Sequence, residues 1–467
     1  MELTSLHATG IAATLFGFLV VGIYSGRKVR SAADFSVSGR QAGFLLVMGT
    51  ILGTLVGGGS TIGTAQLAYL YGLSAWWFTL GGGLGCLIIA LFLARPMRET
   101  RFQTIPRFLS SSYGSTAGVL AAVFVSLGMG INIVPQIIAV MALLASMAGI
   151  GPHQAAVGAV MLAVLYVIYG GVWSTGLMGF TKILLTCLVM VGVGISALHQ
   201  AGGPAAIGDH FPSYPWFSLF GRGLNTDLAA AFALMVGVLS SQIYFQGIFS
   251  SRDFAAARDG ALLSAVLGPV IGLGGILVGL FMRMHYPGIE PAQALPLYVI
   301  NHLSPLPAGV VLATLLLASI GTAAGLTLGV GTMLSRDLYL RWRPQTSDRQ
   351  MLAIFRCLIL IIMSLSLAVV LRTGGDIIIL DWSYLSLGLR GATICFPLFA
   401  AIFLKKRISA RGGTIAIIAG PVVVLIGHLL PIALNPLYPG LAVSALVLAG
   451  DYLVQRSRGP RRTTTLR

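Results

Sequence analysis

Apolar runs of about 20 residues, each long enough for a helix to cross hydrocarbon, follow one another from residue 6 to residue 454 of this 467-residue chain. Separated by charged or Pro/Gly-rich breaks, they fall near 6–26, 43–70, 73–94, 116–148, 153–170, 176–198, 227–250, 259–285, 307–334, 351–371, 378–404, 412–432 and 435–454. The pattern predicts an all-α polytopic membrane protein of about thirteen transmembrane helices. With 56% hydrophobic and 9% charged residues, the composition excludes a soluble enzyme. The first run has no small-residue cleavage site behind a basic segment, so it reads as a retained span and not as a signal peptide.

One run is interrupted where a spanning helix should be continuous. Gly57, Gly58 and Gly59 stand together in the second span, and each interior glycine costs a helix about 1 kcal/mol relative to alanine. Carbonyls freed at membrane depth need new partners, and irregular backbone is tolerated there only where it is buried in protein or lines a cavity. Such a cavity can hold a cation or a solute, so the triplet predicts a transport site. Close helix packing is the other use of the same glycines. A second interruption, Gly237 to Ser241, lies in the seventh span.

The net charge of +16 does not mark a nucleic-acid binder, because no basic patch is interleaved with aromatics. Most of the 29 Lys and Arg residues fall in alternate loops, a skew that puts the N-terminus outside and the C-terminus inside a multi-pass cell-membrane protein. Trp76, Trp77 and Trp216 lie near predicted outer ends, where they anchor at the lipid interface or pack. Cys86, Cys187, Cys357 and Cys395 sit in apolar runs and imply no disulfide framework. No span carries a His-rich, paired-carboxylate or activated-serine constellation, so neither an enzyme nor a bound cofactor is expected.

Four motifs occur in order: Ala33 to Arg40 (ADFSVSGR) before the broken helix, the glycine break itself, Ser240 to Gln246 (SSQIYFQ) with Ser251-Arg252-Asp253 and Ala255 to Arg258, and Ser319 to Gly325 (SIGTAAG) running on to Ser335 to Tyr339. Together they resemble the sodium:solute symporter family over nearly the whole chain. The resemblance implies a single transporter domain, 1–467, with inverted five-helix repeats at 41–198 and 227–404 and peripheral helices at 6–26 and 412–454. Paired interruptions in the first helix of each half agree with it, and such pairs point to a midplane binding site.

By the same resemblance, a sodium ion would be held by the carbonyls of Gly53, Val56 and Ala318 and by side chains at Gly321 and Thr322. Gly321 has no hydroxyl. Where the family commonly carries Thr-Asp with a Gln three residues on, this chain has Met178-Gly179 and then Lys182. A carboxylate is missing, and a cation appears on the same helical face. Lys182 is therefore a coupling candidate, since a buried amine can exchange its proton near neutral pH; alternatively it snorkels to the cytoplasmic interface.

Arg390, near the middle of its span, suits recognition of a carboxylate by its guanidinium fork, or a structural pair with Asp381 or with loosened carbonyls. Gly57, Gly58, Gly59, Asn132, Gln136, Gln242 and Tyr384 are the further candidates for the solute pocket. The expected function is secondary, cation-coupled symport of a small organic solute, carboxylate-bearing by preference, into the cytoplasm by alternating access. The coupling ion is Na+ or H+, and the protein is expected to act as a monomer in the bilayer. The alternative is a solute-binding membrane sensor on the same fold without net transport, although few residues follow the last span to carry a signalling domain.

Overall fold

The computed structural model describes residues 3–26, 40–100, 102, 104–170, 177–339, 343, 345–373, 378–404, 407–430 and 433–457. The chain is all-helical, 87% helix, with no strand among the described residues. Of the motifs above, Ala33 to Gly39 lie outside the described residues.

In chain order the principal helices are α1 (Ser5–Gly26), α2 (Phe44–Leu55), α3 (Thr64–Tyr71), α4 (Trp77–Ile88), α5 (Ser115–Ile131), α6 (Ile133–Ala148), α7 (Pro152–Gly170) and α8 (Leu177–Gln200). They continue with α9 (Leu224–Ser240), α10 (Gln242–Ser250), α11 (Phe254–His285), α12 (Pro305–Thr332), α13 (Asp348–Thr373), α14 (Ile379–Phe403), α15 (Ala410–Leu429) and α16 (Leu437–Ser457). Ten described helical stretches are long and apolar enough to cross a membrane, or 11 if α9 and α10, bent by 46°, form one span. The expected thirteen is not reproduced as a count. The differences fall where helices are short or continuous: α2 is short, and the Gly59–Glu99 stretch runs through two expected spans. The span expected at 116–148 is one of the ten, Ser115–Ala148, with a single irregular turn at Asn132, whose N–H still bonds back to Gly128 and Met129.

Helices from early and late in the chain pack on one another. The first broken helix, α2 and α3, lies against α11, while α9 of the second lies against α4. α8 packs on α2, and α14 packs on α9. Glycines set these distances: a β-carbon on Gly179 would approach the Gly49 carbonyl oxygen to 2.7 Å, and one on Gly237 would meet Leu387. α1 lies on α12, and α15 and α16 flank α14 at the periphery. The indole N–H groups of Trp76 and Trp77 donate to the Pro269 and Leu219 carbonyls, so both tryptophans are tied into the protein.

Candidate cation and solute site

α2 ends where Val56 turns extended, at φ −90° and ψ 106°, and the chain resumes as a π-helical turn over Gly59–Gly63. The polar groups released at this break find partners within the protein, as a buried interruption requires. Ser60 Oγ accepts from the Gly57 N–H and donates to the Gly57 carbonyl, and Thr61 donates to that carbonyl at 2.9 Å. Gln136 Oε1 accepts from the Gly58 N–H at 2.8 Å. All three glycines are buried, and their missing side chains are used for close approach. A β-carbon on Gly57 would come within 2.7 Å of Thr322 Oγ1, one on Gly58 would fall on Ala139, and one on Gly59 would stand 3.0 Å from Phe78 Cζ and 3.3 Å from Ser383 Oγ.

Two further carbonyls at the break, those of Gly53 and Val56, are served from other helices. Lys182 is buried on α8, and its Nζ donates to the Gly53 carbonyl at 2.8 Å and to Thr322 Oγ1 at 2.8 Å. Thr322, on α12, donates in turn to the Val56 carbonyl at 3.3 Å. Gly321 faces the same amine, for a β-carbon there would lie 3.8 Å from Lys182 Nζ and 4.0 Å from the Tyr166 hydroxyl. Ala318, one turn earlier on α12, is fully buried. The side chain thus runs to the inferred cation position and not to an interface. Among the described residues Lys182 forms no ion pair.

The second break is a bend at Ser241, which is extended at φ −94° and ψ 119°. Ser241 Oγ donates to the Gly237 carbonyl at 2.6 Å and accepts from Arg390 Nη1 at 2.9 Å. Arg390, fully buried on α14, also donates from Nη2 to Ser386 Oγ at 2.9 Å and from Nε to the Ser386 carbonyl at 3.3 Å. Three of the five guanidinium N–H groups are used in this way. The pair with Asp381 considered for Arg390 is absent, because Asp381 binds Arg222 at 3.2 Å.

Of the remaining pocket candidates, Asn132 is buried at the α5–α6 junction, Gln136 holds the first break, and Tyr384 packs its ring 5.9 Å from Phe78. Gln242 is placed differently from expectation: its Oε1 accepts from the Ile105 N–H at 2.7 Å, tying α10 to the loop helix Ile105–Tyr113. Sequence reasoning missed Arg222, whose Nε and backbone N–H bind the buried Asp227 carboxylate at 2.7 and 2.8 Å and whose guanidinium lies 5.4 Å from the Tyr384 ring centroid. It also missed Gln66, which accepts from the Ile379 N–H at 2.8 Å and joins α3 to the start of α14. Arg222 and Asp227, five residues apart at a helix start, were the available signal for the first; the second had none.

Two broken helices enclosing buried polar groups within a polytopic bundle are the architecture of a secondary transporter. The sequence signature of the sodium:solute symporter family matches residues 35–420. The chain belongs to that family. It is 24% identical to the human (Homo sapiens) high affinity choline transporter 1, over 93% of this chain and 80% of the relative. It is also 24% identical to the sodium/pantothenate symporter of Escherichia coli (strain K12), over 92% of this chain and 94% of the relative. The fold is similar to that of a Na+-coupled sialic acid symporter solved in a substrate-bound outward-open state, with TM-score 0.75 and 18% identity over 98% of this chain and 99% of that one. Family and relatives are transporters, which supports cation-coupled solute symport as the class of activity.

Proposed function

We propose that this chain is a symporter of a small organic solute in which the Lys182 amine takes the place of the free coupling cation, so that uptake follows protons and proceeds without sodium. The observation that carries this reading is the seat of Nζ, 2.8 Å from the Gly53 carbonyl and 2.8 Å from Thr322 Oγ1, beside hydroxyl-free Gly321. Those are the positions the family resemblance gives to sodium. A hard cation favours several oxygen ligands, and a protonated amine in their midst both occupies the ligands and repels the ion. On α7 the Tyr166 hydroxyl borders the same space beside Gly321, while Gly53, Val56, Gly321 and Thr322 supply only neutral groups.

In this reading the two halves, 41–198 and 227–404, rock around the breaks, and the solute binds beside Gly57 to Gly59, Asn132, Gln136, Tyr384 and Arg390. The reciprocal packing of α2 and α3 on α11 and of α9 on α4 supports the inverted-repeat division. The solute carries a carboxylate, because Lys182 and Arg390 lie buried in the core without an acidic partner among the described residues. The basic loops set the N-terminus outside and the C-terminus in the cytoplasm.

The test is uptake into proteoliposomes across a library of carboxylate-bearing and neutral solutes, under a proton gradient in sodium-free buffer and under a sodium gradient at equal pH. Proton-driven uptake without sodium, with its pH dependence lost in Lys182→Ala, is expected. Uptake that vanishes without sodium and keeps normal coupling in Lys182→Ala overturns the reading. Binding without flux for every solute marks the sensor.

A further inference from the structure

The two helix breaks are met by basic side chains in parallel ways. Val56 and Ser241 leave their half-helices with nearly the same dihedrals, φ −90°, ψ 106° and φ −94°, ψ 119°. Lys182 reaches the first break from α8 across the Gly49, Gly53 and Gly179 contact. Arg390 reaches the second from α14 across contacts of Gly237 with Leu387 and of Gly391 with Val236. In each case the cation stands at the C-terminal end of a half-helix, where unpaired carbonyls and the macrodipole favour positive charge. Room for the arginine stem comes from Gly128, where a β-carbon would stand 2.7 Å from Arg390 Cγ. The Gly128 carbonyl accepts from Ser386 Oγ at 2.7 Å and so joins the same oxygen cluster.

We infer that Arg390 is a positioning residue, a tethered cation built into the second break, which permanently fills a place whose oxygens, Ser241 Oγ, Ser386 Oγ and the Ser386 carbonyl, would otherwise take a free cation. The inference rests on the geometry at Ser241; only the comparison with Lys182 rests on the coupling proposed above. A guanidinium keeps its charge where an amine exchanges a proton. The second break therefore keeps a cation in every state of the cycle, while the first keeps one only when Lys182 is charged. The chain needs no second ion.

The experiment uses full-length protein in nanodiscs, melted in N-methylglucamine chloride alone and with added methylguanidinium, sodium or the uncharged isostere methylurea. Wild type is expected to respond to none of them at millimolar concentration. Arg390→Ala should melt several degrees lower and recover at least half the loss with methylguanidinium or sodium, but not with methylurea. Adding Ser241→Ala should abolish that recovery. If Arg390→Ala does not yield folded protein, Arg390→Gln, whose amide keeps a hydrogen bond to Ser241 without the charge, is run through the same series. Equal recovery with methylurea, or no recovery with either cation, overturns the inference. Lys182→Ala in the same conditions reports separately on the first break, so failure of one reading is distinguishable from failure of the other.

Discussion

Gly179 and Gly53 touch: a β-carbon on Gly53 would stand 3.1 Å from the Gly179 α-carbon. This contact between α8 and α2 brings the Lys182 stem near enough for its amine to bond the Gly53 carbonyl at 2.8 Å. Lys182 follows Gly179 by three residues, on the same helical face. The position where relatives in the resemblance carry an acid is thus occupied by a helix crossing that admits no side chain.

Gly179→Ala should therefore be destabilising. Its β-carbon would meet the Gly49 carbonyl oxygen at 2.7 Å, a backbone atom that cannot swing aside, and overpacking of this kind costs about 1–3 kcal/mol. Thermal melting in nanodiscs measures it; a melt equal to wild type would show that α8 shifts freely on α2.

A sodium response should be recoverable by substitution. Removing the amine in Lys182→Ala frees the Gly53 carbonyl and Thr322 Oγ1, and adding Gly321→Ser supplies the absent hydroxyl, since a β-carbon at 321 meets nothing closer than 3.8 Å. The double variant should gain about 1–3 kcal/mol of stability from saturating sodium, as expected for an ion at 10–100 times its Kd, while wild type gains none. Identical sodium dependence in the two proteins counts against the shared position.

At the first break the packing is close enough to test by exchange. A β-carbon on Gly58 would fall on that of Ala139, so Gly58→Ala should cost about 1–3 kcal/mol. Ala139→Gly should restore most of the loss in the double variant. Additive effects across that double-mutant cycle would mean that the two positions do not touch in the membrane-embedded protein.

Between α11 and α12, burial and then the neighbouring His285 hold His302 below the usual histidine value of 6.5. The folded state thus disfavours the charged imidazole. The stability contributed by the neutral ring is fully present above the unfolded value and is lost as pH falls through the lowered folded value. Melting temperature should decline below about pH 6.5, and His302→Gln, which cannot be protonated, should flatten part of that slope. Superimposable pH profiles would remove His302 from the account.

Much of this arrangement was legible in the sequence because three consecutive glycines interrupt a helix that hydrocarbon would otherwise keep continuous. Gly57 to Gly59 marked the first break, and the departures at Gly179, Gly321 and Lys182 converge on one point in space. Other features were invisible for physical reasons. Neither the irregular turn at Asn132 within the fourth span nor the turn of Gln242 toward Ile105 leaves a periodic trace. The Arg222 cluster joins residues 5 and 159 positions apart, and only the packed bundle brings Asp381 to it. The second break bends at a serine and not at a glycine, so composition located the region without fixing the residue.

Thr322 has a single hydroxyl hydrogen, and it is committed to the Val56 carbonyl, leaving only lone pairs for Lys182. A neutral amine that turned its own lone pair toward Thr322 would claim that hydrogen and leave the carbonyl at the helix break without a donor. The charge on one side chain and the backbone conformation of another helix therefore compete for the same atom.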